Sequence, residues 1–146
     1  MNILNNVFQP TNIYLLEDDE IDAMSIIRAF DRYSIENPMI RFVDGQDALD
    51  FFAATNQTSP FIILLDLEMP RVNGFEFLER IREDHALSQS VVFVLSTSTA
   101  KEHISELYKN NIAGYIVKSD LDPNYDNLIR LLNSYFEIVQ LPPQSH

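Results

Sequence analysis

Cysteine is absent from the 146-residue chain. That excludes disulfides, thiolate metal sites and cysteine nucleophiles, and it suits a reducing compartment, so a cytoplasmic protein is expected. Basic residues are scarce: 10 Lys and Arg stand against 22 Asp and Glu, a formal net charge of −12. Charge of that sign repels nucleic acid and anionic membrane, so neither is an expected partner. Long apolar runs are missing too. The longest strictly apolar ones, 61–65 and 91–95, have five residues, whereas a membrane span needs about 20. No basic segment leads into a long apolar stretch at the N-terminus, so no signal peptide is read.

What is present is the content of one globular domain. Apolar residues make up 46% of the chain, and a chain of this length buries roughly 70% of its unfolded surface. Short apolar runs suited to buried parallel strands occur at 13–16, 39–43, 61–65, 91–95 and 115–117. Helical periodicity fills the gaps. Ala23, Ile26, Ile27 and Phe30 form one apolar face; Ala48, Leu49 and Phe52 form the next; Phe75, Leu78 and Ile81 follow Asn73 and Gly74. A fourth helix, capped by Ser98 or Thr99, carries Ile104, Leu107 and Tyr108. A fifth runs from Pro123 or Asn124 to Val139, with Leu128, Leu131, Leu132, Tyr135 and Val139 inward and Ile129, Phe136 and Ile138 left for a partner surface. Five strands alternating with five helices predict an α/β, doubly wound, five-stranded parallel sheet. Residues 1–11 read as a lead-in, 12–140 as the domain and 141–146 as a tail, with no output domain expected.

Open α/β sheets bind ligands beyond the carboxyl ends of their strands. Glu17, Asp18, Asp19 and Glu20 follow the first strand, Asp66 the third, Ser96 the fourth and Lys118 the fifth; Asp44, after the second, reads as a turn or cap residue. Asp19 and Glu20 are explained as well by the helix that follows them. Glu17, Asp18 and Asp66 come directly off buried strands, where a carboxylate is costly without a task. Clustered carboxylates repel unless protonated or bridged by a cation, and oxygen ligands without histidine or cysteine favour Mg²⁺ or Mn²⁺. A hydroxyl and an amine beside them complete the parts of a metal-assisted phosphoryl-transfer site with an Asp acceptor.

Four segments carry a family resemblance: Leu15-Leu16-Glu17-Asp18-Asp19; Ile63-Leu64-Leu65-Asp66-Leu67-Glu68-Met69-Pro70-Arg71-Val72-Asn73-Gly74; Val94-Leu95-Ser96-Thr97-Ser98; and Gly114-Tyr115-Ile116-Val117-Lys118. In this order and spacing the chain resembles the receiver domains of two-component response regulators, of the CheY-like, stand-alone kind, from about Asn12 to Val139. The resemblance implies a flavodoxin-like (βα)5 fold with strand order 2-1-3-4-5. It implies that Asp66 accepts a phosphoryl group from a sensor histidine kinase or phosphotransfer protein. Glu17, Asp18, Asp66 and the backbone carbonyl of Glu68 would hold Mg²⁺, with Mn²⁺ as a substitute. Lys118 would contact the phosphoryl group, and Ser96 and Tyr115 would be the switch pair. Signal would leave through the helix four–strand five–helix five face, to a homodimer or a protein effector.

Ser119 departs from the proline usual after the lysine; a cis Lys118–Ser119 peptide is expected, because the lysine must still reach Asp66. Thr97 is expected to narrow access to Asp66, and Glu68 adds a carboxylate beside it. Ser119 and the short tail are similar to receivers that partner with phytochrome-type kinases. Three other readings compete. A flavin-binding flavodoxin-like module would need a phosphate cradle where Glu17–Glu20 stand. A phosphatase with an Asp nucleophile would place its acidic pair on the opening strand. A degenerate receiver would act as a binding module independent of phosphorylation.

Overall fold

Alternation along each strand sorts the side chains of the sheet onto two faces. In the computed structural model, which describes residues 11–142, the strands are β1 (Asn12–Leu16), β2 (Met39–Phe42), β3 (Phe61–Asp66), β4 (Val91–Ser96) and β5 (Gly114–Val117). The helices are α1 (Glu20–Arg32), α2 (Gly45–Ala54), α3 (Gly74–Glu83), α4 (Lys101–Tyr108) and α5 (Asp126–Ile138). All strand pairs are parallel, in the order β2-β1-β3-β4-β5. The doubly wound α/β expectation is met. Residues 1–10 of the expected lead-in and 143–146 of the tail lie outside the described residues.

Tyr14, Leu16, Ile63, Leu65, Val92 and Val94 face one way, against Phe52 of α2, Phe77, Leu78 and Ile81 of α3, and Leu107 of α4. Ile13, Leu15, Ile62, Leu64, Phe93 and Leu95 face the other way, against Ala23, Ile26 and Phe30 of α1 and Leu128, Ile129 and Leu132 of α5. Each fully buried Leu or Ile contributes about 1.5–3 kcal/mol. Every residue of β3 is buried, so Asp66 ends a strand with apolar packing on both faces.

Side-chain caps start three helices where the sequence reading put turns. Asp19 accepts from the Asp22 N–H (2.9 Å), Asp44 from the Asp47 N–H (2.8 Å) and Asn73 from the Glu76 N–H (3.0 Å). The loop between β3 and α3 is pinned from two sides. The Arg71 guanidinium donates to both Asp44 carboxylate oxygens at 2.9 Å, and it holds that carboxyl below its usual range. Gly74 donates its N–H to the Leu67 carbonyl at 2.9 Å. A Cβ on Gly74 would lie 2.6 Å from the Leu67 Cα, so only glycine permits this approach.

The last two helices differ from expectation. Ser98 and Thr99 do not cap α4: its N-cap is Ala100, without a side-chain cap, and Ser98 Oγ accepts from the Ala100 N–H one step upstream. Only Leu107 of α4 is buried, and Tyr108 is exposed. α5 begins at Asp126 because the Asp122 carboxylate takes the N–H groups of Asp126 (2.6 Å) and Asn127 (3.3 Å). Its inward stripe is Leu128, Ile129 and Leu132, with Tyr135 and Phe136 packed at the edge. Leu131 and Val139 are exposed and Ile129 is fully buried, against the expected assignment. Leu131 lies about 100° from the centre of the true stripe at about 100° per residue, and Val139 stands beyond the helix end. The outward apolar pair is therefore Leu131 and Ile138, not Ile129 and Phe136.

Candidate functional site

Four strand ends meet at one edge of the sheet, as the sequence reading required. Glu17, directly after β1, is fully buried, whereas Asp18 is exposed. Asp66 and Ser96, the last residues of β3 and β4, are buried. Lys118 follows β5 and brings its ammonium to 2.8 Å from Glu17 Oε1 and 3.8 Å from Asp66 Oδ1. One carboxylate oxygen each from Glu17, Asp18 and Asp66 lies within 4.8 Å of the others.

The electrostatics follow from this crowding. Burial, and then the Glu17 carboxylate, push the Asp66 carboxyl up to about 8, against the pull of Lys118. Burial opposes the charge on Lys118, but its hydrogen bonds to Glu17 and Asp22 outweigh that and raise its pKa. Three carboxylates with oxygen donors only, two of them buried, suit a hard divalent cation, which would relieve the repulsion that lifts Asp66. The donor set therefore fits divalent metal binding. The Glu68 N–H donates to Asp66 Oδ1 at 3.4 Å from the loop after β3.

The Lys118–Ser119 peptide is trans, not cis as expected. β5 runs straight into a 3₁₀ turn, Lys118–Asp120, closed by the Leu121 N–H on the Lys118 carbonyl at 3.1 Å. That turn delivers the lysine to Asp66 with an ordinary backbone path. Ser96 Oγ accepts from the Ser98 N–H at 3.1 Å. The Tyr115 hydroxyl donates to the Ser98 carbonyl at 2.8 Å, and its ring packs on the core between sheet and α3–α4. Both switch-position side chains are thus bound to one residue, Ser98.

A groove of about 360 Å³ runs past Ser96, lined by apolar Leu67, Met69 and Phe75 and by polar Glu68, Ser98 and His103. Neither Asp66 nor Thr97 lines it, and Thr97 is exposed. His103 Nδ1 lies 3.0 Å from Ser98 Oγ, and its ring stands edge-on to Phe75 with centroids 5.5 Å apart.

Sequence reading missed Asp22 and Tyr125. Asp22 Oδ2 lies 2.9 Å from Lys118 Nζ, and the Tyr125 hydroxyl donates to Asp22 Oδ1 at 3.3 Å. The signal for Asp22 was weak: it is an acid in the first turn of α1, just after the strand-end run 17–20. Tyr125 carried none, because its reach depends on a left-handed backbone, φ 62°, before α5.

The family model for the response regulator receiver domain matches residues 13–129. The probable methanogenesis regulatory protein FilR2 of Methanothrix harundinacea is 35% identical over 112 residues, 75% of this chain and 72% of that protein. Response regulator Rcp1 of Synechocystis is 28% identical over 138 residues, 91% of this chain and 94% of that one. The crystal structure of Mn(2+)-bound Rcp1 superposes with a TM-score of 0.78 at 28% identity, covering 91% of this chain and 99% of that chain. The phosphorylated cyanobacterial phytochrome response regulator RcpA superposes with a TM-score of 0.81 at 27% identity, covering 92% and 99%.

Proposed function

The chain belongs to the response regulator receiver domain family, and from that premise we propose that Asp66 is its phosphoacceptor and Mg²⁺ its cation. The observation that carries this is the placement of Asp66 at the end of a buried strand, with Glu17 and Asp18 within cation-sharing distance and Lys118 at 3.8 Å. Asp66 would attack the phosphorus of a phosphohistidine on a sensor histidine kinase or phosphotransfer protein, and the P–N bond would break as the imidazole leaves. Lys118 would then donate to one phosphoryl oxygen and the Ser96 hydroxyl to another. Glu17, Asp18, Asp66 and the Glu68 carbonyl would hold Mg²⁺, or Mn²⁺ in its place. Bound there, the ion neutralises charge on the transferring group. Chemistry of this kind acts on the protein itself, so the role is signalling rather than turnover of a free substrate.

The acidic loop after β1 does not favour a flavin reading, and an acidic pair of Asp66 at the end of β3 and Glu68 in the loop beyond it does not favour a free-substrate phosphatase. A phytochrome-type kinase is the proposed donor, on the strength of the fold shared with RcpA. Output is proposed through α4, β5 and α5, where Tyr108, Leu131 and Ile138 are exposed, to a protein effector or a second copy. No helix among the described residues is long and apolar enough to cross a membrane, and a cytoplasmic location is proposed.

The test is Mg²⁺-dependent labelling with acetyl phosphate or a panel of histidine kinases. Asp66→Asn should abolish the label, and Asp18→Asn should weaken Mg²⁺ binding. Wild-type labelling of Asp66→Asn overturns the acceptor assignment.

A further inference from the structure

Lys118 stops short of Asp66. Its ammonium is hydrogen-bonded to Glu17 (2.8 Å) and Asp22 (2.9 Å), and the 3.8 Å to Asp66 is too long for a hydrogen bond. The two acids that hold it are not equal. Glu17 has a fully buried side chain on the sheet edge, whereas the Asp22 side chain is 31% exposed on the first turn of α1. Asp22 is the partner that can let go, because water replaces the lost ammonium there and cannot at Glu17. Asp22 also accepts from the Tyr125 hydroxyl, and Tyr125 sits at the head of α5 with a left-handed backbone that a tyrosine seldom adopts. The same head is tied to the far end of α1 by Arg32, which donates to the Asn124 carbonyl (2.8 Å) and to Asp126 (2.7 Å).

We propose that Asp22 is a positioning residue, which holds Lys118 short of Asp66 at rest and passes the movement of Lys118 to Tyr125 and the start of α5. A phosphoryl group on Asp66 adds a charge of about −1.5 to −2 and three acceptor oxygens. Lys118 closes on it and leaves Asp22; Asp22 turns to solvent, and Tyr125 loses the carboxylate that held it. The route is separate from the hydrogen bonds of Ser96 and Tyr115, which go to Ser98. It rests on the reading of Asp66 as acceptor.

The experiment uses the full chain labelled with 3-fluorotyrosine, the Tyr125 resonance being identified by Tyr125→Phe, and beryllofluoride with saturating Mg²⁺ as the probe. In the wild-type sequence the Tyr125 resonance should move on binding, and in Tyr115→Phe, which deletes only the hydrogen bond to the Ser98 carbonyl, it should still move. Asp22→Asn keeps an acceptor for Tyr125 but removes the negative charge that holds Lys118. It should bind beryllofluoride about twofold to fivefold more tightly, the span of one partly exposed ion pair, and show no Tyr125 shift; Asp22→Glu should restore the shift. A Tyr125 resonance that stays still in the wild-type sequence overturns the relay, and so does Asp22→Asn binding no more tightly than wild type. Equal beryllofluoride binding by Asp66→Asn would instead overturn the acceptor reading beneath it.

Discussion

The two flanks of Asp66 are built from different forces. On the β1–β5 side the contacts are ionic: Lys118 is held by Glu17 and Asp22, with Asp66 beyond them. On the β4 side uncharged groups make the bonds: Ser96 and Tyr115 hydrogen-bond to the backbone of Ser98. A charge placed on Asp66 acts on the first flank at full Coulomb strength and on the second only through hydrogen-bond geometry. The ionic flank is therefore the sensor of charge, and the neutral flank the place where shape can change at low cost.

The ionic flank should give the largest effects. Lys118→Met keeps the length of the side chain and removes its charge, leaving Glu17 buried without its cation. Breaking such a pair costs about 3 kcal/mol, and urea unfolding at neutral pH should show a loss of that order, reduced when Mg²⁺ is added. A loss below that of an ordinary surface change would mean that Glu17 and Asp66 are satisfied without the lysine, and the contrast between flanks would fail.

Next in size is the pH dependence of metal binding. The Asp66 carboxyl is raised to about 8, so at neutral pH, without a divalent cation, it carries a proton for most of the time. A cation binds the carboxylate form and must displace that proton. The sign is that Mg²⁺ affinity rises with pH through 6 to 8 and levels off above about 8, with about one proton released per ion at pH 7. Calorimetry in buffers of different ionisation enthalpy measures the release directly. A flat affinity across that range would show that the acid is already ionised and that Lys118, not the cation, carries the compensation.

How much of this was legible in the chain divides along the same line. Strand ends followed by Glu17, Asp66, Ser96 and Lys118 could be read because a polar residue after a buried apolar run has few ordinary explanations. The position of Lys118 is legible but its backbone is not: a cis bond before Ser119 is the expectation, whereas a 3₁₀ turn of three residues brings the lysine to the site with trans geometry. Asp22 was hidden by its plausibility as a first-turn acid favoured by the helix dipole. The α5 stripe was misplaced because apolar residues cover about half of that helix, with Ile129 and Leu131 towards its two edges. Periodicity cannot choose between Ile129 and Leu131 without the sheet they pack on.

On the neutral flank Ser96→Ala removes the acceptor of the Ser98 N–H. Since Ser96 is buried, the cost should be about 1 kcal/mol, read as a fall in the urea midpoint with an unchanged slope. A cost near that of Lys118→Met would put the two flanks on one footing.

The smallest expected effect is the most informative about how this flank works. Tyr115→Phe keeps the ring in the core and deletes only the hydrogen bond to the Ser98 carbonyl; because the ring is half-buried, the cost should be about 0.5–1 kcal/mol. Ser96 holds the N–H of the same residue whose carbonyl Tyr115 holds. If Ser98 is the link between them, loosening it from one side lowers what the other side can gain. The double variant Ser96→Ala/Tyr115→Phe should then cost less than the two single variants together, by about 0.5 kcal/mol or more. Costs that add to within about 0.3 kcal/mol, the scatter of independent sites, would mean that the two side chains act separately. In that case the aromatic would be set by the room that α4 leaves it, and substitutions at Leu107, the one buried residue of α4, would move Tyr115 where Ser96→Ala does not.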